Sequence, residues 1–151
     1  MQISARGDYA VRAMLELASS YPATQSAQAL ADAQGLPRKF LEAVLADLRR
    51  SGVVHASRGA DGGYALSQPP DRITIGMVLR AVDGPLAGVR GHRPEQTSYS
   101  GTSSHLPQVW VAVRAAVRNV VDEVSLAEVV TGELPARIKD LTAGPDAWQP
   151  R

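Results

Sequence analysis

Between residues 5 and 20, apolar side chains fall at Ala10, Ala13, Met14, Leu17 and Ala18, the i, i+3, i+4 rhythm of a helix that buries one face. Ser4 stands where an N-cap is wanted. Asp8 lies in or near the first turn, where its charge suits the helix dipole, and Tyr21-Pro22 ends the segment. A second, short helix is expected over 26–35, capped by Ser26, with Ala29, Leu30 and Ala33 as its stripe and Gly35 as a left-handed terminal residue. A third starts at Pro37, a residue suited to the first helical position, and is expected to bury Phe40, Leu41, Val44, Leu45 and Leu48 before Gly52 stops it. Ala29, Ala33 and Ala43 are small enough for the two helices to cross closely. Two helices joined by about three residues that include a glycine form the helix-turn-helix signature.

The period then changes. Val53 to Ala56 reads as a strand and Tyr64 to Leu66 as its return. Between them Asp61-Gly62-Gly63 supplies the positive φ angles that a tight reversal needs. Helix, turn, helix and glycine-rich hairpin in this order describe a winged helix-turn-helix. Thr74 caps a further short helix near 75–82, with Ile75, Val78, Leu79 and Val82 inward, and Asp83-Gly84-Pro85 stops it. Residues 86–104 are polar and rich in glycine and serine, without a period; a loop of this length usually means function or disorder. From 106 to 124, Leu106, Trp110, Val113, Val117, Val120 and Val124 recur at alternating spacings of four and three, a heptad-like stripe, which Val109, Val111 and Val121 widen. This is more apolar surface than one partner inside a small domain needs, so a second copy of the chain is expected against it. Ser125 and Glu128 suggest a capping box for a last short helix ending at Gly132. From Ala143 onward a loose tail is expected.

The fold class that follows is mainly α with a small β-hairpin wing: a winged helix-turn-helix plus a long C-terminal dimerisation helix. The expected organisation is a DNA-binding domain at 1–85, a flexible effector or partner loop at 86–105, a dimerisation helix and short following helix at 106–132, and a C-terminal tail at 133–151. The 151 residues are 44% hydrophobic, enough to build a core without disulfides.

Composition narrows the chemistry. There is no cysteine, which excludes disulfides, thiol redox sensing, a thiolate nucleophile and any cysteine-ligated zinc or iron–sulfur centre. No run approaches the length of a membrane span, and no signal-peptide core opens the chain, so a cytoplasmic protein is expected. The 16 Lys and Arg against 15 Asp and Glu give a net charge of +1, a weak sign for a nucleic-acid binder. The distribution is more telling. Arg38, Lys39, Arg49, Arg50 and Arg58 outnumber Glu42, Asp47 and Asp61 over residues 34–64.

Double-stranded DNA is the expected partner. Arg38, Lys39 and Glu42, and with them Ala43, lie opposite the apolar face of the third helix, where arginine and lysine can read guanine and glutamate can accept from cytosine. Arg58 in the hairpin can enter a narrow minor groove. Gly59, Gly62 and Gly63, followed by Tyr64, let backbone approach backbone; Ser26 at a helix start and Arg49 and Arg50 suit phosphates. Each of these residues alone would be an ordinary solvated surface or turn residue; their order within one unit gives them weight. No nucleotide loop or nucleophile motif supports an enzyme. A rival reading is an effector-controlled protein-interaction module binding a metabolic enzyme through the loop and the long helix, which the near-zero net charge motivates.

The segments Ile3 to Ala18, Leu36 to Leu45 and, above all, Ser57-Arg58-Gly59-Ala60-Asp61-Gly62-Gly63-Tyr64-Ala65-Leu66 resemble the Rrf2 family of bacterial transcription regulators, the IscR/NsrR/CymR group. The resemblance is close over residues 1–85 and extends to 106–131 by position and character. It implies a homodimeric winged-helix repressor or activator on palindromic operators, with the long helix as dimer seam and Arg58 in the minor groove. Sensing members hold an iron–sulfur cluster on three cysteines in the loop before the dimer helix. The stretch Gly88 to His105 has none, and Tyr99, Ser100, Ser103 and Ser104 cannot replace them. Asp8 and His105 match positions of non-cysteine ligands in some members. A site from Asp8, His92 and His105 would suit a divalent ion chemically, but nothing fixes their spacing, so no metal or cofactor is expected. His55, beside the wing, is expected to be structural.

Overall fold

A computed structural model describes residues 2–150. Seven α-helices and one two-stranded antiparallel hairpin follow in the order α1 (Ala5–Ser19), α2 (Ala27–Gln34), α3 (Arg38–Arg50), β1 (Val54–Ser57), β2 (Gly63–Leu66), α4 (Ile75–Asp83), α5 (Leu106–Val121), α6 (Leu126–Thr131) and α7 (Ala136–Thr142). Single 3-10 turns lie at Pro70–Arg72, Pro94–Gln96, Gly101–Ser103 and Pro145–Trp148. The architecture is mainly α with a hairpin wing.

The core is the meeting of α1, α2, α3, the hairpin, α4 and α6. Ala10, Ala13, Met14, Leu17 and Ala18 of α1 are all buried, as their spacing requires, against Leu41, Val44, Leu45 and Leu48 of α3. Capping fixes where helices begin: the Ser4 hydroxyl accepts from the Gly7 amide, Ser26 from Ala29, Thr74 from Met77, and Ser125 from Glu128, whose carboxylate returns to the Ser125 amide. Gly35 ends α2 in the left-handed conformation (φ 62°).

Three expectations need correction. Phe40 is 43% exposed and does not join the core face of α3; its ring instead meets Tyr9 edge-on at 5.2 Å. Ala29, Ala33 and Ala43 are exposed, and the α2–α3 contact is filled by Leu30, Ala31 and Leu36. A helix only two turns long settles its inner face by the entry angle that Ser26 and Gly35 impose, which side-chain spacing does not reveal. The end of the chain is not a plain coil: α7 and the turn at 145–148 fold on each other, and the Trp148 indole donates to the Thr142 carbonyl at 2.8 Å.

The chain crosses back on itself after α5. The Ile75 amide donates to Val124 and the Leu126 amide to Ile73, both at 2.9 Å. Leu126 is thereby placed in the same core as α1. The short helix after α5 thus packs with the N-terminal unit. Among the described residues, no helix is long and apolar enough to cross a membrane.

Candidate nucleic-acid interface

The wing owes its shape to two glycines. Across the hairpin, Val54 faces Leu66, His55 faces Ala65, Ala56 faces Tyr64 and Ser57 faces Gly63. Residues 58–62 make the tip, closed by the Gly62 amide on the Gly59 carbonyl at 3.0 Å. A Cβ on Gly62 would stand 2.5 Å from the Ser57 carbonyl oxygen, so the neck closes only on glycine. Gly63 has φ 140°, and a Cβ there would stand 2.6 Å from the carbonyl oxygen of Gln25.

That second close approach joins the wing to the helix-turn-helix. Gln25, just before α2, exchanges two 2.8 Å backbone hydrogen bonds with Tyr64. Thr24 adds a side-chain bond to the Asp61 carbonyl at 2.9 Å. The Gln25 amide group donates to Ser20 and to the Glu16 carbonyl, which ties the same junction to α1. At the start of α2, the Gln28 side chain accepts from Arg38 at 3.0 Å, and Arg38 also bonds Glu42 one turn along α3 at 2.9 Å. Residues 25–28 therefore grip the wing on one side and the first residue of α3 on the other.

Arg38, Lys39, Glu42 and Ala43 are exposed at the start of α3, as are Arg58 and Gly59 at the wing tip and Ser26 at the start of α2. Ser26 spends its oxygen on the helix cap and keeps its hydroxyl hydrogen to donate. Gly62, Gly63 and Tyr64 are half-buried, and the contacts above account for them as builders of the wing. Arg49 and Arg50 are exposed at the far end of α3, with Arg50 on Asp47 at 2.6 Å. Asp47 also receives Arg6, so that carboxylate pins the start of α1 to the end of α3. Thr24, Gln25 and Gln28 carry this arrangement and were not singled out from sequence, because an uncharged side chain next to a helix start has no distinctive pattern.

The long helix is unlike the others: no residue of α5 is buried. Leu106, Trp110, Val117 and Val120 are partly covered, Val113 is 38% exposed, and Val124 is buried within the chain. The apolar positions Val109 (51% exposed), Val111, Ala112, Val113, Ala115 and Ala116 are open, and of these Val109, Val113 and Ala116 form with Val120 one strip at spacings of four, three and four. This strip shares Val113 and Val120 with the stripe read from sequence. It is turned mostly away from the body, because Trp110 and Arg114 face the 84–96 segment, and only Val113 at its edge also lines the cavity beside Trp110. Two ion pairs hold α5 in place: Arg114 with Glu95, and Arg80 of α4 with Asp122 through two bonds of 2.6 and 3.2 Å. Gly76 makes room for the second, since a Cβ there would meet the Asp122 carboxylate at 1.9 Å.

Asp8 faces Arg12 at 3.5 Å on the surface of α1, His92 exchanges backbone hydrogen bonds with Val89, and His105 precedes α5 without a side-chain cap bond. No three His, Asp or Glu side chains converge among the described residues. His55 is exposed on β1.

Comparison with known proteins agrees with this geometry. The Rrf2 family model, described as an iron-dependent transcriptional regulator, matches residues 3–132. A Mycobacterium tuberculosis protein assigned by name only to the HTH-type transcriptional regulators is 44% identical over 142 residues, 93% of this chain and 88% of that one. The HTH-type regulator CymR of Bacillus subtilis is 32% identical over 87% of this chain and 91% of its own. The solved structure of B. subtilis CymR, that organism's global cysteine regulator, superposes with a TM-score of 0.72 at 31% identity, covering 87% of this chain and 97% of that one. The structure of T. potens IscR superposes with a TM-score of 0.71 at 28% identity, covering 99% and 97%.

Proposed function

Because the chain belongs to the Rrf2 family of transcriptional regulators, whose members are regulators and not enzymes, we propose that it is a homodimeric, sequence-specific DNA-binding repressor working in the cytoplasm without an iron–sulfur cluster. The observation that carries the reading is the junction at residues 25–28, which is bonded to the wing through Gln25 and to the first residue of α3 through Gln28. In this reading Arg38, Lys39 and Glu42 face base edges in the major groove. Arg58 reaches the adjacent minor groove, while Ser26, the wing glycines, Arg49 and Arg50 lie along phosphates. A second copy covers Val109, Val113, Ala116 and Val120 of α5, and the two wings then meet two half-sites of one operator.

The family description names iron, and the donors present here do not fit it. With no cysteine in the sequence there is no thiolate for a cluster, and no set of three carboxylate or imidazole ligands comes together among the described residues. The reading therefore places no step on iron.

The test is operator binding. Genomic fragments retained by the native protein supply the site, and fluorescence anisotropy measures affinity for it. Arg58→Ala should lose about 1–3 kcal/mol, and affinity should fall steeply as salt rises. Unchanged affinity in Arg58→Ala rejects its role. Protein that retains no DNA at low salt but recovers a stoichiometric enzyme supports the interaction-module reading instead.

A further inference from the structure

Two non-glycine residues among those described hold a left-handed backbone, Ala87 (φ 55°) and Arg90 (φ 51°). L-residues adopt that conformation at a cost, and such positions gather at ligand clamps and switches. Both line the same cavity of about 540 Å³, walled by Val89, Trp110 and Val113. Trp110 brings a further oddity: its indole N–H is buried and has no acceptor. A buried donor normally finds a partner.

Beyond Gly88 the same crevice continues into a second cavity of about 270 Å³, lined by Arg80, Arg93 and Arg114 and by the turn Gly84-Pro85-Leu86. Arg80 is matched by Asp122 and Arg114 by Glu95, while Arg93 has no carboxylate within ion-pair distance among the described residues. The charge left over is positive. The first lobe thus sets Trp110, Val89 and Val113 beside Arg90 and Gln2, the second brings Arg80, Arg93 and Arg114 to a largely apolar floor, and their volumes together suit a small molecule.

We propose that this crevice is an effector site for a small organic anion, with its carboxylate on Arg93 and Arg114 and its apolar body against Trp110 and Val89. Its place explains how occupancy would be felt. Arg80 ties α4, in the winged-helix unit, to the end of α5, and Arg114 ties the middle of α5 to Glu95; a carboxylate in the second lobe competes with both partners. The effector role rests on the regulator reading above, whereas the binding site itself does not.

The full chain carrying Trp148→Phe leaves Trp110 as its one indole and reports directly on the first lobe. The probes are 3-phenylpropionate, its neutral amide and inorganic phosphate, followed by Trp110 fluorescence and titration calorimetry. The acid should shift Trp110 emission saturably, and the amide and phosphate should not. Arg93→Ala, which breaks no ion pair, should weaken the acid about 10-fold or more, as loss of a charged hydrogen bond does. No saturable shift with the acid, equal binding of the amide, or undiminished affinity in Arg93→Ala overturns the site. Operator affinity is then measured with and without saturating acid. Saturable binding with unchanged operator affinity overturns the effector role. Saturable binding by a protein that holds no operator at all overturns the DNA reading and leaves the site standing.

Discussion

Gly63→Ala tests the junction between wing and helix-turn-helix most directly. The added methyl would stand 2.6 Å from the Gln25 carbonyl oxygen and 2.8 Å from its carbon, both backbone atoms, at a residue with φ 140°. Two costs combine. A side chain held in a glycine-only backbone region costs on the order of 1–3 kcal/mol. If the chain relieves the clash by moving Gln25 away, the two Gln25–Tyr64 bonds go, each worth about 0.5–1.5 kcal/mol. A loss of about 2–6 kcal/mol follows, or roughly 4–24 °C in Tm for a chain of this size. Gly59→Ala is the control: its φ is 108°, but nothing lies within 4 Å of the added methyl, so only the backbone term applies. Thermal unfolding compares the two, and hydrogen exchange at the Gln25 and Tyr64 amides locates the damage. Operator affinity should fall further in Gly63→Ala than in Gly59→Ala at a temperature where both are folded. A Gly63→Ala protein no less stable than Gly59→Ala, with Gln25 and Tyr64 amides still protected, refutes the account of the junction.

Gln28→Ala removes the brace on Arg38 at an exposed position, so it should leave Tm unchanged and weaken operator binding by about 0.5–1.5 kcal/mol in anisotropy titrations. Val109→Glu puts a charge on the open strip of α5 without touching the core. It should keep the circular dichroism spectrum and convert the dimer to monomer in analytical ultracentrifugation. The Glu128 carboxyl titrates below its ordinary value because it accepts first from the Ser125 amide and then from the Ser125 hydroxyl. A depressed folded-state pKa means the capping box contributes fully above the unfolded carboxylate value and is lost as pH falls through the folded one. Glu128→Gln should therefore lower Tm at neutral pH by an amount that shrinks toward zero on acidification, as read from melting curves across pH 7 to 3.

The elements whose side chains choose one face by themselves were legible in the sequence. The α1 stripe is five apolar residues at helical spacing, and all five are buried. The Asp61-Gly62-Gly63 reversal and the Ser125–Glu128 box depend on local backbone chemistry, which sequence carries directly. Legibility ended where a distant partner decided. Phe40 has the right spacing for the core but meets Tyr9 of α1 instead. The glycines of the wing read as turn residues, and nothing local reveals that Gly63 is pressed onto Gln25, 38 positions earlier. Nor does anything local reveal that Gly76 is packed against Asp122, 46 positions later. The exposure of Arg38 and Lys39 follows from the amphipathic pattern of α3 and that of Arg58 from its place in the turn, whereas Gln28 has no local sign because its part lies wholly in what it touches.

The two ends of α5 are not held alike. Its C-terminal end is fixed to the winged-helix unit three times over: by Arg80 on Asp122, by Ile75 on Val124, and by Leu126 on Ile73, with Leu126 sunk into the shared core. Its N-terminal half meets the segment 84–105, by way of Glu95, Pro94 and the cavity wall around Trp110. A rod anchored more firmly at one end than along the rest would pivot about the firm end. A change in the conformation of 84–94 would therefore swing the open strip Val109–Val113–Ala116 relative to α3 and the wing while the core stayed as it is. In a dimer closed through that strip, the swing alters the separation of the two wings, and half-site spacing on a duplex tolerates little error.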